Sequence, residues 1–484
     1  MSNENILKSL SISGYRSFGG IQRFPYFSKI NLFIGQNNCG KSNILNFIHD
    51  VLPTLNQKEK YKFESLDIHI PKQHSTNYGY CLNLNNEEEV SDFILSNVSS
   101  VLVESDFEAL KKVFIQKSFN DNLDKVWFMY DQHHSFIFKD WEDAFTSLDD
   151  QSVIKIWSSF SGQSGGSRVR HWIPETIKKL EYKNTVDKVV MIPAIRKIGV
   201  KDSISNDYAG DGIIDKLAKL ERPNALNQND KKKFESINNF LRNVTGNPSA
   251  TIEIPNERDT ILVHMNERTL PLESLGTGIQ EVIILAAAAT TLEQTIICME
   301  EPELHLNPIL QKKLVRYLQD STNNQYFITT HSAALMDTAD AEIYHVSLVD
   351  NESVINRATS DNHKSAVCEN LGYHPSDLLQ TNCIIWVEGP SDRIYINYWI
   401  KSYEPKFVEG IHYSIMFYGG KLASHISGED IEDLVEDFIS LRRLNRRAII
   451  IIDSDKKTTY SKINNTKKRL IDEFNGNPPI INCI

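Results

Sequence analysis

The sequence predicts a mixed α/β protein, from its apolar runs, the helical patterns that accompany them and its length. Five short runs rich in β-branched and aromatic residues have the composition of buried strands. Polar or Gly-rich turns follow the runs, as in sheets covered by helices. The 484 residues exceed one ordinary hydrophobic core, so two or three domains are expected. The runs are Ile30–Ile34, Thr295–Met299, Gln325–Thr330, Cys383–Val387 and Ala448–Ile452.

Composition narrows the class of protein. A hydrophobic content of 40% is that of a globular chain, and no apolar run approaches the roughly 20 residues of a membrane span. The N-terminus lacks the order of a signal peptide, and the six cysteines show no CxxC pairing, so a cytoplasmic protein with reduced thiols and no membrane partner is expected. The net charge of −11 means that any binding of nucleic acid must use local basic patches.

The first motif lies between an apolar run and a helical segment. Two predicted β-segments, residues 7–18 and 24–34, precede the stretch Gly35–Ser42, which fits the pattern GxxxxGK[ST]. A helix is predicted directly after it, over residues 43–48. Such a loop wraps phosphates with backbone N–H groups. The alternative is a Gly-rich turn that happens to hold a Lys-Ser pair. We expect the loop to bind ATP through Gly35, Asn37, Asn38, Gly40, Lys41, Ser42 and Asn43, with Lys41 on the β- and γ-phosphates and Ser42 on Mg²⁺.

A long region separates this loop from the later motifs. Residues 55–190 form a predicted insertion, with helical spacing over residues 87–119, a hairpin around residues 131–134 and a flexible loop over residues 158–167. A strand is predicted at residues 189–192. Residues 205–248 are charged and helical in pattern, and we interpret them as a helical arm that projects from the head.

Two acidic residues end the run that begins at Thr295. Glu300 is expected to join the Mg²⁺ coordination shell, and Glu301 to orient the water that attacks the γ-phosphate. The alternative is an ordinary acidic turn at the end of a strand.

Two further motifs surround the acid pair. Ser274, Gly276 and Gly278 precede a predicted helix over residues 281–292 and are expected to meet the nucleotide of a partner subunit, although a simple Ser/Gly cap is the alternative. His331 ends the run that begins at Gln325, where a histidine suits a contact with the γ-phosphate.

These motifs resemble those of ABC-type ATPases: phosphate loop, signature, acid pair and switch histidine stand in that family's order. The long gap between Lys41 and Glu300 resembles the SMC/Rad50-like branch, which acts on DNA. Arg16, within Ile12–Phe18, matches that branch's N-terminal F-R-S-F strand. The resemblance implies an ATPase head over residues 1–371 that works as a homodimer or a larger assembly such as a tetramer.

A second acidic constellation follows residue 372. Glu388 ends one apolar run with Asp392 a helical turn later, while Asp453 and Asp455 end another run. Because the carboxyl ends of parallel strands meet at one edge of a sheet, the four acids form a predicted site for Mg²⁺ or Mn²⁺ that suits attack on a phosphodiester. Two acid-rich surface turns are the alternative.

This pattern resembles the Toprim domain, which implies a Toprim-like α/β domain over residues 372–484. Lys421, in the Gly-rich turn after the run at residues 413–417, is expected either to touch phosphate or to be solvated. Basic residues beyond Asp455 are candidates for contacts with the DNA backbone. They are Lys456, Lys457, Lys462, Lys467 and Lys468.

An ABC-type ATPase followed by Toprim resembles the OLD (overcoming lysogenisation defect) nuclease family. The resemblance implies metal-dependent cleavage of DNA, ATP-dependent regulation and a place in anti-phage defence, alone or beside a helicase-like protein or a retron reverse transcriptase with its msDNA. The chain ends at Ile484, inside what should be a late Toprim strand, so either that domain is short or its C-terminal part is missing. The competing hypothesis is an ATP-gated DNA sensor whose Toprim fold does not cut.

Overall fold

A computed structural model gives the fold. It describes residues 5–70, 75–97, 104–117, 124–182, 186–194, 196, 212–223, 228–332, 335–336, 341–359, 363, 367, 383–409, 412–417, 426–427, 439–440, 448–451 and 468. The chain divides into two compact units, each described separately below. The first comprises residues 1–332 and 338–371, and the second comprises residues 333–337 and 372–484.

The first unit contains thirteen strands within the described residues. They are β1 (Leu10–Ser13), β2 (Gln22–Phe24), β3 (Ile30–Ile34), β4 (Asn77–Asn83), β5 (Lys125–Asp131), β6 (Val189–Ile192), β7 (Thr251–Glu253), β8 (Leu262–Met265), β9 (Arg268–Pro271), β10 (Ile296–Glu300), β11 (Gln325–Thr330), β12 (Ala341–Val349) and β13 (Glu352–Arg357).

Ten α-helices accompany these strands in the same described part of the chain. They are α1 (Lys41–Asn46), α2 (Glu87–Asn97), α3 (Glu104–Lys117), α4 (Lys139–Thr146), α5 (Asp150–Ser161), α6 (Ile173–Lys179), α7 (Ile213–Glu221), α8 (Gln228–Thr245), α9 (Thr277–Thr291) and α10 (Pro308–Ser321). A π-helical turn, Phe47–Val51, continues α1, and another, Arg168–Trp172, precedes α6.

A six-stranded sheet in the order β13-β12-β3-β11-β10-β6 organises the first unit. All neighbouring pairs are parallel except β12 with β13. Strands β3 and β11 are buried along their whole length, as the continuous apolar runs predict for central parallel strands. In the register, Ile34 pairs with Thr330 and Glu300 pairs with Thr329, so β3, β11 and β10 end side by side at one edge.

A second, antiparallel sheet in the order β2-β1-β4-β5 belongs to the same unit. It shares one apolar core with β3 and α1, in which Phe24 and Phe33 pack edge to face with ring centroids 5.7 Å apart. Helices α2 to α6 pack with β5 around a separate core that includes Phe128 and Trp141, stacked at 4.9 Å. The predicted insertion is therefore folded into the unit: β4 and β5 contribute to the shared core, and α2 to α6 cover a second one.

The predicted helical arm does not project over its described helices. Ile237, Phe240 and Leu241 of α8 are buried, and α8 packs against α7, α9 and α10. The ring of Phe240 stacks on Tyr317 of α10 with centroids 4.1 Å apart. The apolar face of α8 is therefore covered by this chain, and its charged residues form the outer side.

Other predicted elements begin or end in the structure at residues different from those expected. The segment predicted over residues 7–18 is β1 followed by a tight turn, in which Gly14 and Arg16 have φ of +64° and +48°. Residues 24–34 are interrupted between β2 and β3, where Pro25 cannot donate to a strand ladder. Part of the loop predicted over residues 158–167 is helix, because α5 buries Phe160 before Gly162, at φ +70°, ends it.

The second unit is described in part. It contains β14 (Ile384–Val387), β15 (Ser414–Phe417), β16 (Ile426–Ser427), β17 (Ile439–Ser440), β18 (Ala448–Ile450) and the helix α11 (Pro390–Tyr403). Strand β14 lies between β15 and β18, and both pairs are parallel. Across both units, none of the described helices is long and apolar enough to cross a bilayer.

Candidate functional site

The Gly35–Ser42 loop joins the end of β3 to the first residue of α1. Gly40 caps α1 with φ of +101°, and a Cβ there would lie 2.3 Å from Oγ of Ser353. A Cβ on Gly35 would lie 2.1 Å from the carbonyl oxygen of Val346. Both positions therefore require glycine, the first for conformation and space and the second for space.

Lys41 is buried and folds back onto its own loop. Its Nζ donates to the carbonyl oxygens of Gly35 at 2.9 Å and Gln36 at 2.7 Å. Burial lowers the pKa of Lys41, while Glu301 and Glu303 act in the opposite direction through their charges. A cation enclosed by the loop is placed to exchange these carbonyl contacts for phosphate oxygens.

A short polar network fixes the base of the loop. Ser353 of β13 donates from Oγ to the carbonyl oxygen of Cys39 at 2.7 Å. Its Oγ also bonds Oγ of Ser17 at 2.7 Å, and Ser17 accepts from Nδ2 of Asn43 at 2.8 Å. The predicted nucleotide ligand Asn43 thus links α1 to the turn after β1. The side chains of Gln36, Asn37, Asn38 and Ser42 are exposed on the open side.

Arg16, which the sequence places in an N-terminal strand, lies instead in that turn. Its guanidinium pairs with Asp67 at 3.1 Å between Nη2 and Oδ1, and Asp67 also accepts from the hydroxyl of Tyr61 at 2.8 Å. Nδ1 of His69 lies 2.7 Å from the carbonyl oxygen of Arg16. The Arg16–Asp67 ion pair therefore connects the turn to residues 61–69.

The acid pair and the histidine meet at the carboxyl edge of the central sheet. Glu300 is the last residue of β10, and Glu301 follows with φ of +43°, held by its N–H on the carbonyl oxygen of Thr329 at 2.9 Å. Nε2 of His331 lies 3.3 Å from Oε1 of Glu301. Both side chains are about one-third exposed, so a ligand at this edge can reach them.

Glu303 is a site residue that the sequence motifs do not assign. Its Oε1 accepts two hydrogen bonds, from Oγ1 of Thr330 and from the backbone N–H of His331, each at 2.7 Å. Burial raises the pKa of its carboxyl group. The third acid of Glu300-Glu301-Pro302-Glu303 was the available signal, but only the fold shows that it reaches β11.

Arg196 was also missed, and it connects the acid pair to α9. Its Nη1 bonds Oε2 of Glu281 at 2.7 Å, and its Nη2 contacts the carbonyl oxygens of Glu300 and Glu301. The Arg196 side chain is completely buried, and that of Glu281 is 8% exposed. Removing either partner of such a buried ion pair leaves the other charge buried without compensation, which strongly destabilises the fold.

The signature residues lie at the start of α9. Ser274 ends a short 3₁₀ turn, Leu272–Ser274, and Gly276 is the N-cap of α9. Ser274 and Gly276 are exposed, and a Cβ on Gly276 would meet no atom within 4 Å. Gly278 packs closely instead, since a Cβ there would lie 2.8 Å from the carbonyl oxygen of His305.

The residues at this edge fit a nucleotide with a divalent cation. The loop offers backbone N–H groups and the Lys41 ammonium to phosphates. Ser42 in the first turn of α1 and Glu300 at the end of β10 supply a hydroxyl and a carboxylate, the oxygen ligands that Mg²⁺ prefers.

The second unit shows part of the predicted acidic site. Glu388 directly follows β14, and Asp392 lies in the first turn of α11. Oδ2 of Asp392 accepts from the N–H of Gly389 at 2.9 Å, so this carboxylate caps the helix. Asp453, Asp455, Lys421 and all the proposed backbone-binding lysines except Lys468 lie outside the described residues. Within the described part of the chain, no three acidic, histidine or cysteine side chains form a metal-binding cluster.

Comparison with known proteins gives one family and several distant similarities. Residues 6–336 match the family described as the AAA ATPase domain. A retron Vc95 probable ATPase of Vibrio cholerae is 23% identical over 384 residues, which are 69% of this chain and 72% of that protein.

Solved structures of SMC heads also align with this chain. One, bound to the C-winged helix domain of ScpA, is 15% identical with a TM-score of 0.40 and covers 74% of this chain and 99% of its own. An SMC head domain from Thermotoga maritima is 14% identical with a TM-score of 0.37, covering 73% and 99%.

Proposed function

This chain belongs to the AAA ATPase domain family, and we propose that it hydrolyses ATP at the carboxyl edge of its central sheet. In this proposal, Lys41 and the backbone of residues 35–43 hold the phosphates, and Ser42 and Glu300 hold Mg²⁺. Glu301 orients the attacking water and His331 contacts the γ-phosphate. The contact of 3.3 Å between Glu301 and His331, beside the phosphate loop, is the observation that most supports it.

The hydrolytic site in our proposal is shared between two copies of the chain. Ser274 and Gly276 are exposed at the N-terminus of α9, where the helix dipole and the N–H groups of the first turn favour an anion. We propose that this surface closes over the nucleotide of a partner subunit. ATP would then join the subunits, and hydrolysis would release them.

Two substitutions test the ATPase proposal. Lys41→Ala should abolish nucleotide binding, measured with a fluorescent ATP analogue, because the loop loses its only side-chain cation. Glu301→Gln should keep binding and lower kcat by on the order of 10²-fold or more, since it removes the group that orients water. The matched control is Glu267→Gln, which changes an exposed acid in the turn between β8 and β9 and should leave turnover unchanged. Wild-type turnover by Glu301→Gln would show that another residue activates water.

For the second unit we propose a Toprim-like domain, residues 372–484, that cuts DNA with Mg²⁺ or Mn²⁺. Its support is the parallel order β15-β14-β18, in which the strands preceding Glu388 and Asp453 are direct neighbours. Glu388, Asp392, Asp453 and Asp455 would hold the metal, activating water and stabilising the leaving oxygen. Asp392 would combine this role with its capping of α11.

One incubation separates this proposal from its alternative, an ATP-gated DNA sensor that does not cut. Full-length protein is mixed with plasmid, Mg²⁺ or Mn²⁺, and ATP or a non-hydrolysable analogue. A nuclease nicks or linearises the plasmid, whereas a sensor only shifts its mobility. Asp453→Ala should lower cleavage by orders of magnitude, and higher salt should weaken DNA binding through competition with backbone contacts. Undiminished cutting by the Asp453→Ala, Asp455→Ala double variant would contradict the assignment.

The cellular role that we propose is anti-phage defence of the OLD type. The similarity to a relative named as a retron ATPase supports an association with a retron reverse transcriptase and its msDNA over one with a helicase-like protein. Co-purification of tagged full-length chain from its native host, with and without its chromosomal neighbours, tests the association.

A further inference from the structure

Glu303 joins the turn after β10 to the end of β11. The turn is closed by the N–H of Leu306 on the carbonyl oxygen of Glu303 at 2.9 Å. From this fixed position, Oε1 of Glu303 accepts from Thr330 Oγ1 and from the N–H of His331, both at 2.7 Å. One carboxylate oxygen therefore holds the backbone from which the imidazole of His331 projects.

Several contacts connect the ends of the two strands. Glu301 donates its N–H to Thr329 of β11, and Glu303 accepts hydrogen bonds from residues 330 and 331. Nε2 of His331 lies 3.3 Å from Glu301, so the imidazole spans the same gap. Removing the carboxylate of Glu303 takes away the acceptor of the backbone N–H of His331.

We propose that Glu303 is a positioning residue for ATP hydrolysis, which sets the distance of the His331 imidazole from Glu301 and the γ-phosphate. The inference rests on the proposed function of this edge. Glu303 acts through the backbone of His331 and does not itself touch the nucleotide. Hydrogen bonds from Thr330 and His331 require only an acceptor at Oε1, so a negative charge on Glu303 is not part of the role.

Three single variants of the full-length protein test the role. Glu303→Ala removes the acceptor and should lower kcat roughly 10- to 100-fold, because a shift of about 1 Å in a catalytic group has effects of this size. Its KM for ATP should change less than about twofold, since the phosphate loop is untouched. Glu303→Gln keeps an acceptor oxygen and should retain most of the activity. Thr330→Val removes only one of the two donors, so its kcat should lie between those of Glu303→Ala and Glu303→Gln.

A double variant separates positioning from a general loss of structure. His331→Ala should lower kcat by on the order of 10²-fold. If Glu303 acts through the imidazole, adding Glu303→Ala to His331→Ala changes kcat by less than about twofold. Additive losses, or equal losses in Glu303→Gln and Glu303→Ala, would overturn the proposal. Melting curves of all variants identify any that fail to fold, and if Glu303→Ala is one of them, the loss of activity in Thr330→Val, alone and added to His331→Ala, carries the test.

Failure of the proposed function gives a different result. If His331→Ala hydrolyses ATP like the wild type, the assignment of the switch histidine is wrong, whatever Glu303 does. If His331→Ala loses activity and Glu303→Ala keeps it, the ATPase site stands and the positioning role of Glu303 is refuted.

Discussion

The buried carboxyl group of Glu303, at the edge of the central sheet, makes the stability of the folded state depend on pH. Burial raises the pKa of Glu303 above that of a glutamate in the unfolded chain. Its Oε2 is buried and accepts no hydrogen bond from the described residues. The folded state therefore binds the proton of Glu303 more tightly than the unfolded state does.

The sign of the resulting pH dependence follows from this difference. With the folded pKa raised, the contribution of Glu303 to stability is fully present below the unfolded pKa, near 4.5. It is lost as pH rises through the folded pKa. Glu303→Gln cannot titrate, so its melting temperature relative to the wild type should rise between about pH 4 and pH 8. Glu267→Gln, at an exposed acid between β8 and β9, is the control. A wild-type advantage that grows with pH would contradict this prediction.

The same residues show which parts of the site are predictable from sequence. Gly35 to Ser42 fall within eight consecutive positions, so their spacing alone identifies the loop. Glu303 and Arg196 find their partners through the fold, 28 positions away at His331 and 85 positions away at Glu281. No local pattern records such pairings, and single acids and arginines are usually solvated.

At the scale of elements, the sequence patterns predicted which runs are strands better than they predicted the residues at which each element begins and ends. The runs at residues 30–34 and 325–330 are confirmed as β3 and β11, because continuous burial leaves a strong signal, and the run at residues 189–192 is confirmed as the partly buried β6. The helical pattern over residues 87–119 is two described helices, α2 and α3. The interpretation of α8 as an arm was wrong for a physical reason: an amphipathic helix shows an apolar face in its sequence, but the sequence does not show what covers that face.

The connection between α9 and the acid turn gives a prediction at this scale. Arg196→Met leaves Glu281 buried without its cation, which should cost about 3–5 kcal/mol of unfolding free energy. Calorimetry should show a lower melting temperature for the transition that includes the first unit. The double variant Arg196→Met, Glu281→Met should regain part of the loss, because an apolar pair needs no desolvated charge. Arg222→Met, which removes a half-exposed guanidinium paired with Glu221, is the matched control and should change stability by at most about 1 kcal/mol. A similar loss in both single variants would contradict the argument.

The chain combines a first unit that belongs to an ATPase family with a second unit in which the structure describes two of the four predicted metal-binding acids. The matched family region, residues 6–336, lies almost entirely within the first unit. Glu388 and Asp392 lie directly after β14 and in the first turn of α11, and the metal-binding role of all four acids, including Asp453 and Asp455, stays a prediction. Alternating strands and helices were enough to predict an α/β chain, but the six-strand order of the central sheet depends on long-range pairing that sequence patterns do not encode.

Self-association is the prediction that concerns the whole molecule. The apolar face of α8 is satisfied within the chain, so it gives no reason to expect a partner. The exposed signature at Ser274 and Gly276 does, because in our proposal its N–H groups meet the phosphates of another copy. With ATP and Mg²⁺ at micromolar concentration, Glu301→Gln should therefore show at least twice the monomer mass of 55.4 kDa in light scattering. Trapped nucleotide stabilises the assembly by mass action.

Two variants make this measurement specific to the nucleotide interface. Ser274→Arg in the Glu301→Gln background places a bulky side chain on the signature surface and should keep ATP binding while preventing the ATP-dependent increase in mass. Lys41→Ala should lose both, because it removes the ligand that joins the subunits. A tetramer that forms without ATP and survives Ser274→Arg would mean that another surface holds the copies together. A monomer under every condition would instead place the whole hydrolytic site within one chain, and the signature would then be an ordinary helix cap.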